Sequence, residues 1–212
     1  VNEDAVRTGP PQRSRRSPDE RKAAADARRE RRAAVTDVAI VMEAAAAHLA
    51  VRPRTVGETR RRLRQLGYQG GLREQAIDRL IELGYLDDAA YARAWIESRD
   101  RAHPRGEVAL RRELRTRGVA EDVISAALSE RSAAAAGPVD GHHDPVGADG
   151  ASGRGDELAA RRLLERRRAS LEREPDPRRR RNKAYAMLAR NGFDPDVCQR
   201  LAYAFMGDRL AV

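Results

Sequence analysis

The stretch "LRTRGV", residues 114–119, holds a leucine, a glycine four positions later and a large apolar residue directly after it. The same spacing recurs at Leu63, Gly67 and Tyr68, at Leu80, Gly84 and Tyr85, and at Leu188, Gly192 and Phe193. In a Schellman helix ending, glycine occupies the first position past the helix because it reaches positive φ without a Cβ clash. The residue after it folds back onto the helical residue four positions before the glycine. Each quartet has that spacing, so four helix C-termini fall at Gly67, Gly84, Gly118 and Gly192. Helix starts are legible as well. Thr55-Val56-Gly57-Glu58 has the capping-box spacing, Asp176-Pro177 and Asp194-Pro195 place a cap before a first-turn proline, and Ser17-Pro18-Asp19-Glu20 does both.

Between these signals the apolar residues keep helical spacing. Aligning the glycines puts Ile124 and Cys198 in one slot, and Ile77 joins them if "QGGLRE" carries an insertion of four residues. Further helical stretches precede each glycine unit, at about 36–50, 88–102 and 156–173. Three helices, three times over, is the economical reading. The expected fold is all-α, with three-helix repeats at 35–86, 87–131 and 156–207 forming an elongated, curved, solenoid-like chain. Each repeat has few large apolar side chains, so burial is expected to continue from one repeat to the next. Residues 1–34, "PDERKAAADARRERRAA" among them, alternate charge without an apolar stripe and read as a disordered or solvated-helical basic arm. The Gly-, Pro- and Asp-rich run at 132–155 reads as a flexible linker that lets the third repeat move, and 208–212 as a tail.

Composition narrows the function. The chain carries 42 Lys and Arg against 33 Asp and Glu, a formal charge of +9, with one Trp, five Tyr and two Phe to fill a core. Such a balance points to an anionic partner, nucleic acid or acidic protein surface. Only Lys22 and Lys183 are lysines, and arginine's planar fork suits phosphate and carboxylate, although coding composition also enriches Arg and Ala. A single cysteine excludes an internal disulfide and a cysteine metal cage. No run reaches the roughly 18 apolar residues of a membrane helix, and the opening "VNEDAVRTGPPQRSRRS" lacks the apolar region of a signal peptide. A cytoplasmic protein is expected.

The stretch "GYLDDAAYARAWIESR", residues 84–99, places Asp87 and Asp88 where a helix must begin, and a cap there contributes about 0.5–2 kcal/mol. A catalytic carboxylate pair would need a pocket and a third polar partner, and none is visible. Tyr91 and Trp95, four apart, share one helix face and read as packing residues. Followed by "RGEVALRRELRTRGVAEDVISAAL", this stretch resembles the RecX family of regulators of the RecA recombinase. The resemblance covers about residues 50–131 and resumes more weakly at "AYAMLARNGFDPDVCQRL". The long N-terminal arm, the Gly70-Gly71 insertion and the 132–155 run depart from the family pattern.

No phosphate-binding GxxxxGK[ST], no GxGxxG after a strand, no GxSxG and no HExxH occurs, so neither catalysis nor a cofactor is expected. His142 and His143 with Asp140, Asp144 and Asp149 lie in the Gly-rich run, where nothing holds them as metal ligands. The arginines remain as binding candidates. Arg105, Arg111, Arg112 and Arg115 cluster around the helix bearing Leu110 and Leu114. Arg178, Arg179, Arg180, Arg181 and Lys183 fall in the first turns of the third repeat's middle helix, where their charge opposes the macrodipole and an anionic partner would relieve it. The family resemblance implies a non-enzymatic modulator lying along a RecA filament on DNA and hindering ATP hydrolysis, strand exchange or filament growth in DNA repair and recombination. Its arginines would meet RecA or single- or double-stranded DNA, with no membrane or small-molecule substrate involved. Two other readings remain: a helix-turn-helix-like DNA-binding protein in its own right, and an adaptor for another acidic protein.

Overall fold

The computed structural model describes residues 17–136 and 153–207. Among them the chain is ten α-helices without a strand. They are α1 (Pro18–Ala33), α2 (Val38–Leu49), α3 (Val56–Leu66), α4 (Gly70–Glu82), α5 (Asp88–Ala102), α6 (Glu107–Arg117), α7 (Glu121–Ala136), α8 (Arg154–Glu172), α9 (Pro177–Arg190) and α10 (Pro195–Gly207). Helices α2–α4, α5–α7 and α8–α10 form three successive units, and α1 precedes them.

The glycine endings form as their spacing dictates. Gly67, Gly84, Gly118 and Gly192 are the positive-φ residues of the described chain, at 98°, 74°, 86° and 78°. In each, the N–H after the glycine reaches back to the leucine carbonyl: Tyr68 to Leu63, Tyr85 to Leu80, Val119 to Leu114 and Phe193 to Leu188, at 2.9–3.4 Å. Tyr68, Val119 and Phe193 are buried, but Tyr85 is 68% exposed. The next residue, Leu86, also donates to the Leu80 carbonyl and enters the core in its place. Starts agree as well. Ser17 forms a full capping box ahead of Pro18, Thr55 accepts from the Glu58 N–H, Asp87 from Ala90, and Asp176 from Arg178 and Arg179.

The four-residue insertion before α4 forms an extra first turn. Four residues advance a helix only slightly beyond one revolution, so the faces stay in phase. Ile77, Ile124 and Cys198 are accordingly all fully buried. Helix α1 buries no residue, although Arg29 lies against Gly67 and the Ala33 carbonyl accepts from the Gln69 side chain at 2.6 Å.

Two expectations need correction. The buried apolar clusters do not run on from unit to unit: one contains Val41, Leu63, Ile77 and Leu80, a second Ile96, Leu110, Leu114 and Ile124, a third Leu164, Leu188, Phe193 and Leu201. At the joints between units, backbone contacts and hydrogen bonds from charged side chains stand beside the packing of α7 on α8. Second, residues 132–136 continue α7 and 154–155 begin α8, with Ser132 and Gly155 buried, so the flexible-linker boundaries fall on helix. Residues 137–152, His142 and His143 included, lie outside the described residues.

The joint is built twice on one plan. At the first, Asp88 at the start of α5 accepts a hydrogen bond from the Val56 N–H of α3 at 2.9 Å, and the Thr55 hydroxyl donates to the Arg117 carbonyl at 2.6 Å. At the second, Asp156 of α8 accepts from the Glu107 N–H of α6 at 2.8 Å, and the Gly106 N–H donates to the Asn191 carbonyl at 3.0 Å. Glycine permits the close approach in both: a Cβ on Gly57 would lie 2.8 Å from Gly118 Cα, and one on Gly106 would overlap the Gly192 carbonyl. The start of α3 therefore meets the end of α6, and the start of α6 the end of α9. Helix dipoles align favourably in that series. The three middle helices, placed end to end, amount to about 54 Å of helix.

Candidate binding surface for an anionic partner

Of the first arginine cluster read from the sequence, Arg111, Arg112 and Arg115 line one depression together with the carboxylates of Glu107, Asp156, Asp194 and Asp196. Arg111 pairs with Glu107 at 2.7 Å, with Glu121, and with the Ser125 hydroxyl, while Arg115 donates to Glu121 at 2.6 Å. Both cations are held within their own unit. Arg112 is exposed and has no ion pair among the described residues. Arg105 precedes α6 rather than lying on it, and its terminal nitrogen donates to Asn191 Oδ1 across the second joint at 2.7 Å. Arg180 is a correction: it is buried, donating to the carbonyls of Glu174 and Pro175, and offers nothing to a partner. Arg181 lies over the Tyr203 ring at 4.5 Å. Arg178, Arg179 and Lys183 are exposed. Helix α9 has fourteen residues against eleven in α3 and α6, and the surplus is the first turn that carries this arginine run.

A different grouping emerges at the second joint. The 102–105 loop, the second half of α8 and the end of α9 enclose a cleft of about 610 Å³. His103, Arg105, Arg166, Arg167, Lys183 and Arg190 line it, and no carboxylate does. Arg166 crosses to the carbonyls of Arg101 and Ala102 at 2.5 and 2.9 Å. Arg105 and Lys183 were read as binding residues from the sequence; His103, Arg166, Arg167 and Arg190 were not. A signal existed for α9, where Lys183, Met187 and Arg190 stand at i, i+4 and i+7 on one face. The α8 arginines carry no such signal, because "RRLLERRRAS" places cations on several faces at once.

The remaining motif residues are structural. Asp87 caps α5, and Asp88, half buried, caps α3, where burial pushes its carboxyl above the ordinary range. They do not converge on a common site. Tyr91 and Trp95 are partly buried and stack with centroids 6.2 Å apart. The guanidinium groups of Arg99 and Arg117 lie over the Trp95 ring at 4.4 and 3.8 Å, and its Nε1–H donates to Glu113 at 2.9 Å. That indole is engaged by its own chain rather than offered as a stacking platform. Burial pushes the Cys198 thiol up to about 11, so it packs as a small hydrophobe and is a poor nucleophile at neutral pH. Among the described residues no His, Cys, Asp and Glu group could hold a metal, and no helix is long and apolar enough to cross a membrane.

Three helical triplets that abut through close glycine contacts, with a cation-lined cleft at one joint, define a helical-repeat protein. The chain belongs to the RecX family. The family's profiles match in order: "RecX, first three-helix domain" at residues 42–80, "RecX, second three-helix domain" at 87–128 and "RecX, third three-helix domain" at 156–201. "Regulatory protein RecX" of Thermobifida fusca is 34% identical over 149 residues, 70% of this chain and 69% of that protein. "Regulatory protein RecX" of Mycolicibacterium smegmatis is 40% identical over 87 residues, 41% of this chain and 46% of that protein. The crystal structure of RecX from Lactobacillus salivarius shares the fold with a TM-score of 0.59 at 19% identity, covering 79% of this chain and 96% of that one.

Proposed function

We propose that this protein is a non-enzymatic regulator that binds the RecA filament on DNA and lowers recombinase ATPase, strand exchange or filament growth. Membership of a family whose relatives are named regulatory proteins supports this reading, and the cation-lined cleft at the second joint is the structural observation that carries it. The end-to-end series of middle helices suits a filament. A chain of three units can touch several subunits at once, so that modest contacts combine through effective concentration. The glycine joints hold those units in a set order, which presents the cleft and the exposed turn of α9 along one continuous body.

The test compares two substrates by fluorescence anisotropy: labelled single-stranded DNA bare, and the same DNA coated with RecA. Much tighter binding to the coated strand at physiological salt is expected. Equal affinity for both, with a steep fall as salt rises, would replace the filament reading with that of an independent DNA-binding protein.

A further inference from the structure

Most arginines around the joints are neutralised within the chain, yet Arg167, Lys183 and Arg190 line one cleft with no ion pair among the described residues. Beside them the Nε of Arg105 is buried without a hydrogen-bond acceptor, its ion-pair partner Glu113 standing 3.8 Å away and outside the cleft lining. Bringing uncompensated like charges into one concavity is unfavourable unless an anion enters it. We propose that this cleft binds the phosphodiester backbone of a nucleic-acid strand, and that the strand bridges the second and third units there.

The chemistry of the lining separates nucleic acid from acidic protein. The cleft presents mostly donors: Asn191 Oδ1 is engaged by Arg105 and the carbonyls of Arg101 and Ala102 by Arg166, which leaves the Ser170 hydroxyl and the His103 ring as the side-chain acceptors on its lining. A polypeptide entering the cleft would bring backbone N–H groups that need acceptors. A phosphodiester strand brings acceptors alone. Guanidinium forks match its oxygens two at a time, and the ammonium of Lys183 adds a point charge. The 102–105 loop belongs to the second unit, and α8 and α9 to the third, so one bound strand fastens both. This deepens the filament reading, from which it takes only that the partner assembly contains DNA.

The test needs no recombinase, so its outcome stands apart from the filament comparison. Binding of a fluorescein-labelled single-stranded oligonucleotide is followed over a salt series. Replacing Lys183→Gln together with Arg190→Gln should weaken binding roughly tenfold at low salt and flatten the slope of log K against log salt by about 1.4. Arg62→Gln with Arg64→Gln changes the charge equally on exposed positions of α3 outside the cleft, and should leave affinity within about twofold. All four side chains are exposed, and melting curves verify that both variants fold. Equal losses for the two pairs, no loss for the cleft pair, or no oligonucleotide binding by the unaltered protein would overturn the proposal. So would displacement of the oligonucleotide by poly-glutamate more readily than by unlabelled DNA, which would assign the cleft to an acidic protein surface.

Discussion

A Cβ at Gly84 would meet nothing within 4 Å, whereas one at Gly118 would press on Gly57 Cα at 3.0 Å. Both glycines have positive φ, so substitution at either imposes left-handed strain, and Gly118 adds a collision at the first joint. Gly84→Ala should therefore lower unfolding free energy by about 1 kcal/mol, and Gly118→Val by about 2 kcal/mol or more, in urea titration. Equal or negligible costs would contradict the helix-end and joint assignments. These glycines were legible because a Schellman ending is local: leucine, glycine and the following residue stand within six positions. Tyr85 was misread for the same local reason. Two large apolar residues follow Gly84, and only the packing of the first unit selects Leu86 over Tyr85.

Helix α7 meets α8 through a buried charge node. Arg131, 7% exposed, pairs with Asp100 and with Asp156, itself 4% exposed, at 2.8 Å each. Burial raises the Asp156 carboxyl above its ordinary range despite the Glu107 N–H and Arg131. A carboxyl raised in the folded state binds its proton more tightly there than when unfolded. Its favourable contribution is therefore complete below the ordinary carboxylate range and is lost as pH rises through the raised value. Arg131→Met removes the countercharge, and about 3 kcal/mol of destabilisation is expected at neutral pH. Part of that loss should return on acidification as Asp156 takes up its proton, read as a rising urea midpoint relative to wild type. A pH-independent difference would contradict the node. None of this was legible in the sequence, since Glu107 and Asp156 are 49 positions apart. The burial of Arg180 had left a trace, for it stands at i−4 and i−8 to Ala184 and Leu188 on the buried face of α9.

Over the whole molecule, the repeat number, the helix order and the cationic excess were readable in advance, because each follows from local periodicity or composition. Where the charge collects was not. Ion pairs inside the units neutralise Arg111 and Arg115, while residues from three elements assemble the cleft. The extra turn of α9 keeps Arg178 and Arg179 outside the core, and at the other end of the series α1 packs Arg29 against Gly67. Charge reversal at Arg178 and Arg179 should leave the melting temperature unchanged while weakening the hold on a recombinase filament. The direct measurement is the steady-state ATPase rate of RecA on single-stranded DNA as this protein is titrated in. The account predicts a saturable fall in rate that needs more of the Arg178→Glu, Arg179→Glu variant to reach the same depth. A rate unmoved by excess protein would contradict it.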